Sequence, residues 1–194
     1  MKTAILLAGG RSRRMGRDKL MLPQDGATVL ESAVARFARV FDRVCVSVDR
    51  TDRYPQIAAE HISDVYTGCG PLAGIHAGLR ACGPEGAFFA AADLPFSDPE
   101  LALRLMDACP EDCAICVAAG PDGRPEPLFG YYRGAAADAA EELLKSGSYR
   151  IRDLFALCPT RILDLGAAAP DLAFANVNTP EEYAALLGDA GAGK

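Results

Sequence analysis

The chain has 194 residues and a mass of 20.4 kDa, enough for one domain with a sizeable buried core. Half of its residues are hydrophobic and 24% are charged, a balance that excludes a disordered, collagen-like or coiled-coil protein. The net charge of −6 argues against a nucleic-acid coat, and no apolar run reaches the ~20 residues of a membrane helix.

Thr3–Ala8 (TAILLA) is a short apolar run ended by Gly9-Gly10, the pattern of a strand buried on both faces of a parallel sheet. The same stretch carries no signal-peptide cleavage region, so a cytoplasmic protein is expected. After a basic loop, Leu30, Val34, Phe37 and Phe41 recur on one face of a helix. Arg43–Val48 (RVCVSV) predicts a second strand, Leu72, Ile75, Leu79 and Cys82 a helical stripe, and Ala87–Ala92 (AFFAAA) another buried strand. Asp98-Pro99-Glu100 is a helix start, with Asp98 as the cap and Pro99 in the first helical position; Leu101, Leu105 and Cys109 follow along it.

Ala114–Ala118 and Pro127–Tyr132 predict further strands, and Ala135–Leu144 and Ile151–Leu157 further helices. Thr179-Pro180-Glu181-Glu182 is a capping box opening a last helix, with Tyr183 and Leu187 on one side. Residues 188–194 have nothing to bury and read as a frayed, flexible tail. The alternation predicts one α/β domain over residues 1–187, Rossmann-like and three-layered, with a mostly parallel sheet and ligands at the carboxyl ends of its strands.

Seven cysteines are scattered along the chain, and Cys113-x-x-Cys116 with Cys109 upstream has metal-like spacing. No second cluster follows, and buried thiols on apolar elements account for them better.

Residues 11–19 (RSRRMGRDK) hold five basic residues and one acid on an otherwise acidic chain, a charge pattern suited to a compact polyanion rather than a duplex groove. Placed after the first strand, its glycines let backbone N–H groups approach a ligand, its arginines can take phosphate oxygens bidentately, and Lys19 adds a point charge. The spacing matches neither a Walker A loop nor the Gly-x-Gly-x-x-Gly fingerprint. Taken alone, the loop also fits a solvated basic turn, Gly70–Gly74 fits a turn and helix entry, and Asp93 fits a cap on the loop after its strand. With two histidines and no paired nucleophile and base, covalent catalysis is poorly served.

Leu7-Ala8-Gly9-Gly10-Arg11-Ser12-Arg13-Arg14-Met15-Gly16-Arg17-Asp18-Lys19 resembles the signature loop of the nucleotidyltransferases, and within that group the molybdenum cofactor guanylyltransferases, the MobA family. Gly70-Pro71-Leu72-Ala73-Gly74-Ile75, Asp93-Leu94-Pro95-Phe96 and Asn176-Val177-Asn178-Thr179-Pro180 follow in the family's order, so the resemblance spans residue 4 to about residue 187. It implies a fold of the nucleotide-diphospho-sugar transferase type. The implied reaction transfers GMP from GTP onto the phosphate of molybdopterin-bound molybdenum, giving the guanine dinucleotide cofactor and pyrophosphate.

The resemblance further implies that Leu7, Ala8 and Gly9 contact the nucleotide through their backbone, and that Asp64 contacts it through its carboxylate. Lys19 and Arg14 would hold the triphosphate, Arg14 steadying charge on the departing pyrophosphate, and Asp93 would bind the nucleotide and a Mg²⁺ ion. Arg14, Lys19 and Asp93 are thus the implied catalytic set, while Asn176 and Asn178 match the acceptor side. Arg124-Pro125-Glu126-Pro127 lies where the family closes over its acceptor, or its prolines stiffen an edge. Ser47 departs from the pattern: some members carry a nucleotide-contacting Asn there, and serine has less reach.

The implied partners are GTP, the molybdopterin cofactor, other molybdenum cofactor biosynthesis proteins and acceptor molybdoenzymes, with neither nucleic acid nor membrane. Gly9-Gly10 favours guanine, since cytidylyl relatives tend to carry Ala-Gly there. The alternatives are a CTP-dependent molybdopterin cytidylyltransferase, another small nucleotidyltransferase, or an inactive nucleotide-binding regulatory module. The intact set of Arg14, Lys19 and Asp93 weighs against the last.

Overall fold

Strand β1 (Thr3–Leu7) is buried along its whole length, in the middle of the sheet. The computed structural model describes residues 1–9, 18–24, 26–50, 52–94, 97–120 and 122–165. After β1 come a 3-10 turn at Lys19–Met21, a two-residue hairpin of β2 (Pro23–Gln24) and β3 (Ala27–Thr28), and helix α1 (Val29–Phe37). Thr28 and Glu31 close a reciprocal capping box at the start of α1. The chain continues through β4 (Arg43–Val48), β5 (Glu60–Ser63), α2 (Pro71–Cys82), β6 (Ala87–Ala91) and α3 (Pro99–Asp107). Then follow β7 (Ile115–Ala119), β8 (Pro125–Tyr132), α4 (Ala137–Ser146), α5 (Ile151–Leu154) and β9 (Thr160–Leu163).

The seven-stranded sheet has the order β5-β4-β1-β6-β8-β7-β9, and β8 runs antiparallel to both neighbours while the other pairings are parallel. Because side chains alternate along a strand, β1 feeds two cores. Ala4 and Leu6 join Leu30, Phe37, Phe88, Leu101 and Leu105 beneath α1 and α3, whereas Ile5 and Leu7 join Leu72, Ile75, Phe89 and Leu144 beneath α2 and α4. This is the mostly parallel three-layer α/β fold expected from the sequence. Among the described residues, no helix is long and apolar enough to cross a membrane.

Several boundaries differ from the sequence expectation. The segment expected as one helix over Ala135–Leu144 begins with a 3-10 turn at Gly134–Ala136, and α4 runs on to Ser146 before Gly147 closes it in the left-handed conformation. The helix expected over Ile151–Leu157 stops at Leu154, because the N–H groups of Phe155, Ala156 and Leu157 bond three residues back rather than four. Phe41 lies beyond α1 yet stays on its stripe, with its ring centroid 5.8 Å from that of Phe37 and 6.0 Å from that of Phe88. The capping box at Thr179 and the tail at 188–194 lie outside the described residues.

Helix α2 sits unusually close to the sheet. Gly70 caps it at φ +71°, a conformation that favours glycine, and Pro71 opens the first turn. A Cβ at Gly74 would lie 2.5 Å from Ser47 Oγ, and one at Gly78 would lie 2.5 Å from Ile5 Cδ1 and 2.7 Å from Phe89 Cε1. The Gly70–Gly74 motif is therefore a turn, a helix entry and a close-packing face together. Overpacking of this kind costs about 1–3 kcal/mol, so Gly78→Val is expected to lower Tm by roughly 4–10 °C in a thermal melt. An unchanged Tm would contradict the close approach.

Candidate functional site

Three adjacent parallel strands end level with one another, since Leu7 pairs with Ser47 on one side and Ala91 on the other. Backbone bonds extend this edge: Ala8 N–H donates to Ser47 O at 2.9 Å, Ala92 N–H to Leu7 O at 3.1 Å and Asp64 N–H to Val48 O at 2.9 Å. Gly9, Asp49, Asp64 and Asp93 consequently emerge where the strands leave the sheet. Leu7 and Ala8 are buried and offer the edge only backbone, whereas Gly9 is exposed. A Cβ on Gly9 would stand 3.8 Å from Asp64 Oδ2, so the Asp64 carboxylate lies just beside that bare backbone.

Asp93 follows β6, a strand whose own side chains are all buried, and its carboxylate forms a partly buried ion pair with the Lys19 ammonium. Lys19 is the first residue of the 3-10 turn, and Asp18 caps that turn by accepting from Leu20 N–H at 3.2 Å. The end of the basic loop and the end of β6 are thus joined through opposite charges, although 74 positions separate them in sequence. Arg14, together with residues 10–17, and Asn176 and Asn178 lie outside the described residues.

Asp64 stands in a different environment. Burial, and then the charge of Asp49, push its carboxyl up from 3.8 to about 6, against a weak opposing bond from Ser47 Oγ at 3.5 Å. Ser47 itself is 1% exposed and covered by α2, with its hydroxyl turned to Asp64. On the other side of β6, the antiparallel β8 begins at this same edge of the sheet. Near that start of β8 lies Glu126, whose carboxyl is pushed up by burial and by the charge of Asp122. The Arg124–Pro127 segment thus lies at the β8 end of this edge.

A second cluster had no recognisable signal in the sequence beyond a charged stretch after β4. Arg53 spans Asp49 (Nη1 to Oδ1, 2.9 Å) and Asp18 (Nη2 to Oδ2, 3.1 Å), and Tyr54 Oη donates to the same Asp18 oxygen at 2.7 Å. Burial works against the Arg53 charge, but the bonds to Asp49 and Asp18 more than offset it and raise its pKa. Burial first, then the bond and charge of Asp18, raise that of Tyr54.

A parallel α/β edge carrying bare glycine backbone, a basic turn and separate carboxylates is the frame of a nucleotidyltransferase. A family model described as "MobA-like NTP transferase domain" matches residues 4–164. A protein of Mycobacterium avium named "Probable molybdenum cofactor guanylyltransferase" is 36% identical, with 94% of this chain and 93% of that protein covered. The "Molybdenum cofactor guanylyltransferase" of Vibrio atlanticus is 31% identical, with 92% of this chain and 91% of that protein covered. The crystal structure of molybdopterin-guanine dinucleotide biosynthesis protein A from Archaeoglobus fulgidus superposes with a TM-score of 0.82 at 26% identity, covering 99% of this chain and 100% of that one. The chain belongs to the MobA-like NTP transferase family.

The raised pKa of Asp64 has a definite sign for stability. Between pH 4 and 6 the folded state keeps a proton that the unfolded chain releases, so stability falls as pH rises through this window. Above it, the ionised carboxylate costs about 1 kcal/mol after discounting for its partial exposure. Asp64→Asn is expected to raise the urea midpoint at pH 7.5 and to leave it unchanged at pH 4. A midpoint that falls at pH 7.5 would contradict the strained environment.

Proposed function

We propose that the protein transfers GMP from GTP to the phosphate of molybdopterin-bound molybdenum, with release of pyrophosphate. The observation that carries this reading is the Lys19–Asp93 pair on the same carboxyl edge of the sheet as Gly9 and Asp64, in a chain of the MobA-like family. The names of the Mycobacterium avium and Vibrio atlanticus relatives support guanine as the base and the molybdenum cofactor as the acceptor.

In the reaction, an oxygen of the acceptor's phosphate monoester bonds to the α-phosphorus of GTP, the bond from that phosphorus to the bridging oxygen breaks, and pyrophosphate leaves. The attacking phosphate is already ionised at neutral pH, so neither a nucleophilic side chain nor a general base is needed. In-line positioning and charge neutralisation are needed instead. The backbone of Leu7, Ala8 and Gly9 would receive the nucleotide, with the Asp64 carboxylate as an acceptor at its side. Lys19, held by a carboxylate in the free protein, would exchange that partner for triphosphate oxygens, and Arg14 would add a second cation over the departing pyrophosphate. Asn176 and Asn178 would serve the acceptor.

Asp93 fits a divalent cation such as Mg²⁺: it is an oxygen donor at the edge whose charge is already matched by a cation. Such ions commonly take one or two carboxylates and complete their shell with phosphate and water. When bound, the ion would neutralise phosphate charge and help align the α-phosphate.

Pyrophosphate release from purified protein, molybdopterin-bound molybdenum and each nucleotide tests the reading. Turnover is expected with GTP and not with CTP, because a site built for one base leaves its own polar groups unpaired against the other. Equal or faster turnover with CTP would overturn the guanylyl assignment. Lys19→Ala is expected to lower kcat/KM for GTP about 10- to 100-fold, the worth of one charge-assisted contact. Asp93→Asn is expected to fold normally and lose most cation-dependent turnover, and near-normal turnover would reduce Asp93 to a loop cap.

A further inference from the structure

Asp18, Asp49, Arg53 and Tyr54 form one connected unit beside the nucleotide edge. Arg53 lies mostly buried between Asp49 and Asp18, with its guanidinium carbon 5.0 Å from the Tyr54 ring centroid. Tyr54 is 5% exposed and, among the described non-glycine residues, alone takes a positive φ, at 58°. Side chains rarely adopt that conformation, and it persists only where the surroundings over-determine it. Here it accompanies a hydroxyl seated on Asp18 Oδ2 at 2.7 Å.

Asp18 is thereby held on both carboxylate oxygens. Oδ2 takes Arg53 and Tyr54, and Oδ1 takes the N–H of Leu20 at 3.2 Å. Lys19 sits between those two fixed points, so its Cα has little freedom and its side chain reaches Asp93. At the other end Arg53 grips Asp49, which follows β4 and whose backbone N lies near Gly9. A planar guanidinium can serve two carboxylates with parallel N–H groups, whereas an ammonium cannot reproduce that fork.

We propose that Arg53 and Tyr54 are positioning residues that hold the Lys19 turn in register with the Gly9–Asp64 side of the nucleotide site, and so set the affinity for the triphosphate. This rests on the reading of Lys19 as a triphosphate contact. The strap acts through Lys19.

A double-mutant cycle tests this, with GTP affinity measured by titration in the presence of Mg²⁺ for the wild type, Arg53→Lys, Lys19→Ala and the double variant. Arg53→Lys is expected to weaken GTP about tenfold in the wild type, and less than twofold in the Lys19→Ala background, because its effect runs through Lys19. Tyr54→Phe, which removes one bond and no charge, is expected to follow the same pattern at roughly threefold; it carries the cycle if Arg53→Lys does not fold. Equal losses in both backgrounds, or no loss in the wild type, would overturn the strap while leaving Lys19 as a contact. A Lys19→Ala protein that binds GTP as tightly as the wild type would overturn both.

Discussion

The edge of the sheet that carries this site exists because α2 can lie almost flat on β1 and β4. Side chains at Gly74 and Gly78 would collide with Ser47, Leu7, Ile5 and Phe89, and the helix would have to lift. With it in place, Ser47 is buried under the helix and Asp64 is pressed against Gly9 in a partly desolvated setting. The close approach therefore does two things at once. It completes the core beneath α2, and it produces a carboxylate that holds its proton more tightly than a solvated one.

Charge is what the rest of the edge has to manage. Asp18, Asp49, Asp64 and Asp93 gather at this edge, and Lys19 and Arg53 answer three of them through ion pairs: Lys19 with Asp93, and Arg53 with Asp18 and Asp49. Carboxylates gathered at a strand edge repel one another unless cations interleave them. The interleaving here divides the edge into a Gly9–Asp64 side, where the backbone is bare, and a Lys19–Asp93 side, where an ammonium is paired with a carboxylate. Under the proposed function, the first side would receive the base and sugar and the second the polyphosphate. Arg53 bridges the two by holding Asp49 with one nitrogen and Asp18 with the other.

Legibility in the sequence followed burial. β1 and β6 were readable because strands covered on both faces need uninterrupted apolar runs, β4 because Val44, Val46 and Val48 alternate along it, and α3 because Asp98-Pro99 marks its start chemically. β5 and β9 were not readable: they lie at the two edges of the sheet, and EHIS and TRIL hold few buried side chains. In the site, Gly9, Lys19, Asp64 and Asp93 stood out through the family motifs, and the structure brings Lys19 to Asp93 and Asp64 to Gly9. Asp49, Arg53 and Tyr54 did not. In sequence they belong to a short charged stretch resembling any solvated turn, and only folding reveals that Arg53 and Tyr54 are covered and aimed at Asp18.

One nucleotide is expected to occupy both sides of this edge, with Lys19 exchanging a carboxylate for phosphate. A crystal structure with a non-hydrolysable GTP analogue and Mg²⁺ tests it most directly. The analogue is expected to lie against Leu7–Gly9 and Asp64, with the Lys19 ammonium on its phosphate oxygens and Asp93 on the ion. An analogue bound away from the carboxyl edge, or bound there while Lys19 still grips Asp93 and touches no phosphate, would contradict it.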